Sequence, residues 1–147
     1  MNQKINDMIH QYSSLIEFKG YSPRTVLNLT LRGGKYSLKL PRWTADEEAE
    51  LISLLVKLGQ KPVGSIVLQN LDNGLNDVII PPNCKTFIYT NQWGCEILLL
   101  YNPNNANYKM ILEKYKGNTE NMLIELCNET MFYRDIGILY GYNNDFN

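Results

Sequence analysis

Histidine is almost missing from this chain of 147 residues: His10 is the only one. A Ser-His-Asp or Cys-His catalytic arrangement would have to use it. The spacing predicts a first helix on which His10 sits beside an apolar stripe, so packing accounts for it. Cysteine is scarce as well. Cys84, Cys95 and Cys127 are odd in number and show no C-x-x-C spacing. That argues against a disulfide framework and against zinc sites, and suits a reducing, cytoplasmic setting. No apolar run approaches the roughly 18 residues of a membrane span, and no apolar segment follows the polar start as in a secretory leader. Neither an anchor nor a leader is expected.

Phosphate-binding loops are lacking too. Gly33-Gly34 has neither G-x-x-x-x-G-K-[ST] nor G-x-G-x-x-G around it and falls inside a hairpin pattern, and Gly137 and Gly141 fail the same test. Asp46, Glu47, Glu48 and Glu50 crowd a helix start, where the dipole favours negative charge, and this explains them without acid–base chemistry. No catalytic residue, metal ligand or cofactor is assigned.

What is present describes an ordinary globular chain. Hydrophobic residues make up 44% and charged residues 20%, with a formal net charge of −1. Such a composition folds, and the length suits one domain spanning 1–147. Asparagine is abundant, in keeping with the coding bias of an AT-rich genome, and several asparagines stand where turns need them.

Residues 3–19 carry Ile5, Met8, Ile9, Tyr12 and Ile16 at helical spacing. The runs 26–32 and 35–40 flank Gly33-Gly34, which suits a two-residue hairpin turn. That register pairs Leu31 with Tyr36, Leu29 with Leu38 and Leu27 with Leu40 on one face. A one-residue slip would turn all six outward. Thr44 and Glu47 form a capping box, followed by a helix with Ala49, Ile52, Leu55 and Val56 inward and Gly59 at its end. Between 63 and 101, four short runs rich in β-branched and aromatic residues alternate with Gly, Pro, Asn and Asp. They predict strands near 65–69, 76–80, 85–90 and 96–101. A helix over 106–116 follows, with Tyr108, Ile111, Leu112 and Tyr115 on one face. Another starts at Asn118 and buries Met122, Leu123, Leu126, Cys127 and Met131. Residues 133–142 are open between strand and helix because two glycines interrupt the run. The expected fold is α+β: an antiparallel sheet of about six strands built from hairpins, flanked by four helices.

Two short stretches resemble known families. Residues 9–26, from Leu15 through Gly20, Pro23 and Arg24 to Val26, resemble the opening of the core-binding domain of tyrosine recombinases. The resemblance implies further helices and a catalytic Arg-His-Arg-Tyr set, whereas this chain continues into a glycine hairpin and lacks that set. Residues 135–142 resemble a motif of an uncharacterised clostridial family.

Charge is unevenly placed. Residues 1–44 hold seven basic and two acidic side chains, and residues 45–147 hold seven and thirteen. Arg32, Lys35 and Lys39 share the outward face of the hairpin, with Arg24 and Arg42 near its base. A basic ribbon can bind phosphates or an acidic protein surface, and lysines on an edge hairpin also discourage strand pairing. Trp93, in the turn 91–94, is a large apolar side chain at a loop tip, the kind of residue that anchors interfaces. It can equally fold back over the sheet.

The leading expectation is a non-enzymatic binding protein of the inhibitor, immunity or accessory type, of phage or mobile-element character, acting through a surface on a protein partner or a phosphate-bearing ligand. The alternatives are a nucleic-acid or nucleotide binder using the basic hairpin 24–42, and an enzyme without a recognisable motif. The opposed charges of the two halves also allow a homo-oligomer.

Overall fold

The computed structural model describes residues 45–57, 59 and 61–141. In chain order they form α1 (Ala45–Lys57), β1 (Val63–Val67), two short 3-10 turns (Leu68–Asn70 and Gly74–Asp77), β2 (Lys85–Thr90), β3 (Glu96–Tyr101), α2 (Ala106–Lys114), α3 (Thr119–Cys127) and α4 (Tyr133–Tyr140). The class is α+β with an antiparallel sheet, as expected.

β3 organises the rest. Its run Ile97, Leu98, Leu99, Leu100 and Tyr101 is buried throughout. A strand covered on one face alternates apolar with polar; one covered on both faces loses the alternation. β3 lies at the centre, in the order β1-β3-β2, with Ser65 and Phe87 both opposite Leu99. On one face Val63, Ile97, Leu99 and Tyr101 meet Tyr108 and Ile111 of α2, Met122, Leu123 and Leu126 of α3, and Ile136 and Leu139 of α4. On the other face Ile66, Leu98 and Leu100 meet Ala49, Ile52 and Val56 of α1. The described residues therefore stack in three layers: one helix, the sheet, three helices.

α1 can lie this close because β1 carries Gly64 under it. A Cβ there would run into the Cγ2 methyl of Ile52 and press on Val56. Asparagines start two of the three helices on the opposite face. The Asn105 side chain accepts from the N–H groups of Asn107 and Tyr108, and Asn118 accepts from Asn121. These caps satisfy amides that a helix start leaves unpaired.

One expectation needs correcting. The sheet has three strands among the described residues, not about six. The hairpin runs 26–32 and 35–40 lie outside the described residues, and 76–80 is not a strand. Asp77 accepts hydrogen bonds from the backbone N–H and the side-chain amide of Asn73, at 2.8 and 3.1 Å. This curls the chain into the 3-10 turn Gly74–Asp77 instead. Pro81 and Pro82 then deny the exit the donors a ladder needs, and Ile79 and Ile80 stay exposed.

Four helices are described, the number expected. They include α4, from the segment left open between strand and helix; residues 3–19 lie outside the described residues. α4 tolerates Gly137, whose helical cost is about 1 kcal/mol. Burial of Ile136, Leu139 and Tyr140 at i, i+3 and i+4 outweighs it. Among the described residues no helix is long and apolar enough to cross a membrane.

Candidate functional site

The β2–β3 turn is built to hold one side chain out. The Asn91 side-chain oxygen accepts from the N–H groups of Trp93 and Cys95, at 3.0 and 2.9 Å. Gly94 takes φ +80°, where a side chain would be strained. Its N–H donates to the Asn91 carbonyl at 3.0 Å. The turn is also clamped to the far end of α3. The Gln92 N–H donates to Asn128 Oδ1 and the Gln92 side-chain amide donates to the Asn128 carbonyl, both at 2.7 Å. Trp93, fixed at both flanks, is 60% exposed. It does not fold back over the sheet.

The Asn128 end of α3 leads within four residues to a second aromatic feature. Phe132 and Tyr133 are 84% and 93% exposed, yet their backbone is held. The Phe132 carbonyl accepts from the N–H groups of Asp135 and Ile136 at 2.9 and 3.0 Å. Behind them, Asp135 is buried and pairs with Lys114 of α2 at 2.9 Å, pinning the start of α4 to its neighbour. Three large aromatic side chains thus stand in solvent on two segments that the Gln92–Asn128 contacts tie together.

Beside Trp93 opens a cleft of about 450 Å³ along β1. Ala45 and Ile52 of α1, Ser65 and Ile66 of β1, and Cys95 and Cys127 are among the residues lining it. Buried Lys61 also reaches the cleft; its Nζ donates to the Tyr140 carbonyl at 2.7 Å and lies 5.5 Å from the centre of the Tyr140 ring. Neither Cys127 nor Cys84 is poised for nucleophilic work. Burial pushes Cys127 up to about 11 and raises Cys84, so both stay protonated at neutral pH.

At the start of α1, Asp46 faces the carboxylates of Asp77 and Asp72. Desolvation, and then those two neighbours, push its carboxyl up to about 6. Its Oδ1 is shielded from solvent and receives no hydrogen bond. Asp77 is held below the ordinary carboxylate range, first by the Asn73 N–H and then by the Asn73 side chain. The pair favours one proton held on Asp46 against an ionised Asp77. Among the described residues no group of three or more His, Cys, Asp or Glu is placed to hold a metal ion.

Of the residues singled out from sequence, Trp93 is placed at this surface. Arg24, Arg32, Lys35, Lys39 and Arg42 lie outside the described residues, as does His10. Phe132 and Tyr133 were not singled out. Their signal is faint: two adjacent aromatics just ahead of the Ile136, Leu139, Tyr140 stripe and out of register with it. The Asp46–Asp77 contact has no local signal, since the two residues lie on separate elements. Comparison of the chain with protein-family models, curated proteins and solved structures finds no match. The short resemblances at 9–26 and 135–142 gain no support from it.

Proposed function

We propose that this protein is a non-enzymatic binding protein that acts through its surface on a protein partner, with Trp93, Phe132 and Tyr133 as the anchoring side chains. The observation that carries this reading is the exposure of all three on backbone that hydrogen bonds hold in place. Aromatic side chains bring large contact area at low entropic cost, and interface energy concentrates on such residues. Holding them on braced turns lowers the ordering cost further. An inhibitor, immunity or accessory factor working in the cytoplasm fits this mode of action.

Native mass spectrometry of the protein purified gently from its host tests the reading. The wild type is expected to carry a stoichiometric protein partner, and the Trp93→Ala, Phe132→Ala, Tyr133→Ala variant to lose it while staying folded. A partner retained by the triple variant would rule the aromatic surface out.

The charge distribution motivates a second reading. Residues 1–44 hold seven basic and two acidic side chains, so the face with Arg32, Lys35 and Lys39 is proposed to bind nucleic acid or a nucleotide. Affinity of that kind falls steeply with salt as counterions are released. Salt-insensitive binding, or none to DNA, RNA and nucleotides, would remove it.

A further inference from the structure

The loop between β1 and β2 holds the chain's single Asn-Gly pair, Asn73-Gly74. Such a pair is chemically labile. A backbone nitrogen can attack the side-chain carbonyl of the asparagine before it, and glycine puts no side chain in the way. Nucleophile and target share one short segment, so the attack outruns that of free water. Asn73 is exposed. Gly74 takes φ +56°, and nothing would stand within 4 Å of a Cβ there. One group restrains the pair. Asp77 accepts from the Asn73 N–H at 2.8 Å and from the Asn73 side-chain amide at 3.1 Å. Asn73 is thereby held at ψ 21°, with the Gly74 nitrogen turned away from its side chain. Ring closure needs that nitrogen and the Asn73 Cβ nearly eclipsed about the Cα–C bond. Reaction therefore waits on local opening of the Asp77 clamp.

We propose that Asn73-Gly74 is a self-modification site, gated by Asp77, whose product carboxylate releases the turn Gly74–Asp77 from the start of α1. The Gly74 nitrogen bonds to the Asn73 Cγ and the Cγ–Nδ2 bond breaks. The proton of the Gly74 nitrogen leaves with Nδ2 as ammonia. Water then opens the cyclic imide at Cγ, giving aspartate, or at the Asn73 backbone carbonyl, giving isoaspartate. No electrons are exchanged, so water is the only co-reactant. Either product removes the amide donor that Asp77 accepts. Either also sets a new carboxylate beside Asp77, which already faces Asp46, and like charges so close repel. Isoaspartate further lengthens the backbone by one carbon. The turn is flanked by Leu71, buried in the same core as Ala49 and Ile52 of α1, and by Val78, packed against it. Loosening the turn therefore loosens its seat against that helix.

The test ages the full chain at mildly alkaline pH and maps its peptides by mass. The amide is expected to be lost at Asn73 ahead of every other asparagine, with isoaspartate, read by an isoaspartyl methyltransferase, as the main product. Asn73→Gln should abolish that signal. Asp77→Ala, which removes the clamp, should speed loss at Asn73 about tenfold and leave the other asparagines at the wild-type rate. Earlier loss at another asparagine, or no gain in rate in Asp77→Ala, would overturn the proposal. Hydrogen exchange reads the release of the turn. The amides of Asn76 and Val78, which donate to the Asn73 and Leu75 carbonyls, are expected to exchange at least about tenfold faster in the aged chain. Unchanged exchange there would overturn it as well. If Asp77→Ala unfolds, Asn73→Asp, which carries the product charge in an unbroken backbone, decides by the same exchange measurement.

Discussion

The two faces of the sheet do different work. Toward α2, α3 and α4, β3 presents Ile97, Leu99 and Tyr101 to a deep apolar layer, where Tyr101 and Tyr108 stack with centroids 5.2 Å apart. Toward α1 it presents Leu98 and Leu100 to the one helix described there, set close by Gly64 and flanked by the Asp46–Asp77 contact. The first face is a rigid support, and it is the one that braces the aromatic surface through Asn128 and α4. The second carries the Asp46–Asp77 contact. The difference sets mechanical support on one face of the sheet against a titrating pair beside the other.

The comparison can be broken most forcefully at Leu99. Leu99→Ala is expected to cost about 3–5 kcal/mol, because the three-helix layer cannot collapse onto the space left. On the α1 face Ile52→Val is expected to cost about 0.5–1.5 kcal/mol. Denaturant midpoints of the two variants check the ranking, and equal losses would erase the distinction between the faces.

Gly64→Ala comes next, at about 1–3 kcal/mol, since the new methyl meets Ile52 head on. Ile52→Ala in the same chain should make the double variant less destabilised than the sum of the singles, which a double-mutant cycle reads directly. Additive losses would show that close approach of α1 is not what Gly64 serves.

A smaller effect sharpens the chemical side of the contrast. Desolvation and the neighbouring carboxylates push the folded Asp46 carboxyl up to about 6 from its ordinary value of 3.8, so the folded state holds the proton more tightly. Its contribution to stability therefore grows as the pH falls through 6 and is complete near 3.8. Asp77 is shifted the opposite way; the stability it contributes is present above 3.8 and is lost as the pH falls through its lowered folded value. Thermal melts at pH 7.5 and 5 should show a rise on acidification that Asp46→Asn abolishes. A rise of the same size in the variant would assign the effect to other groups.

The smallest expected effect on stability belongs to the aromatic surface. Single alanine substitutions of Trp93, Phe132 and Tyr133 should each stay within about 0.5 kcal/mol of wild type, as exposed positions do. A loss of several kcal/mol at any of them would mean that the side chain is structural and does not wait for a partner.

Much of this architecture is legible along the chain. Ala49, Ile52, Leu55 and Val56 are buried as their spacing requires, and so are Met122, Leu123, Leu126, Cys127 and Met131. The turn at 91–94 forms where Asn and Gly stand. The strand expected at 76–80 misled because β-branched Val78, Ile79 and Ile80 carry a strong local preference. Asp77 and the two prolines override it through hydrogen bonds and missing donors that composition does not reveal. At 133–140 the local pattern was divided, and only the core waiting for Ile136 and Leu139 settles it as helix.

Sequence by itself therefore determined the α+β class, the helical faces, the caps at Asn118 and Gly59 and the turn that bears Trp93. These depend on spacing and on backbone chemistry within a few residues. Tertiary structure alone decided the order β1-β3-β2, the close seat of α1 on Gly64, the proton shared around Asp46 and the tying of the Trp93 turn to the end of α3 that precedes Phe132 and Tyr133. Each of these depends on groups far apart in the chain, whose meeting is set by how the layers fill space and not by any local preference.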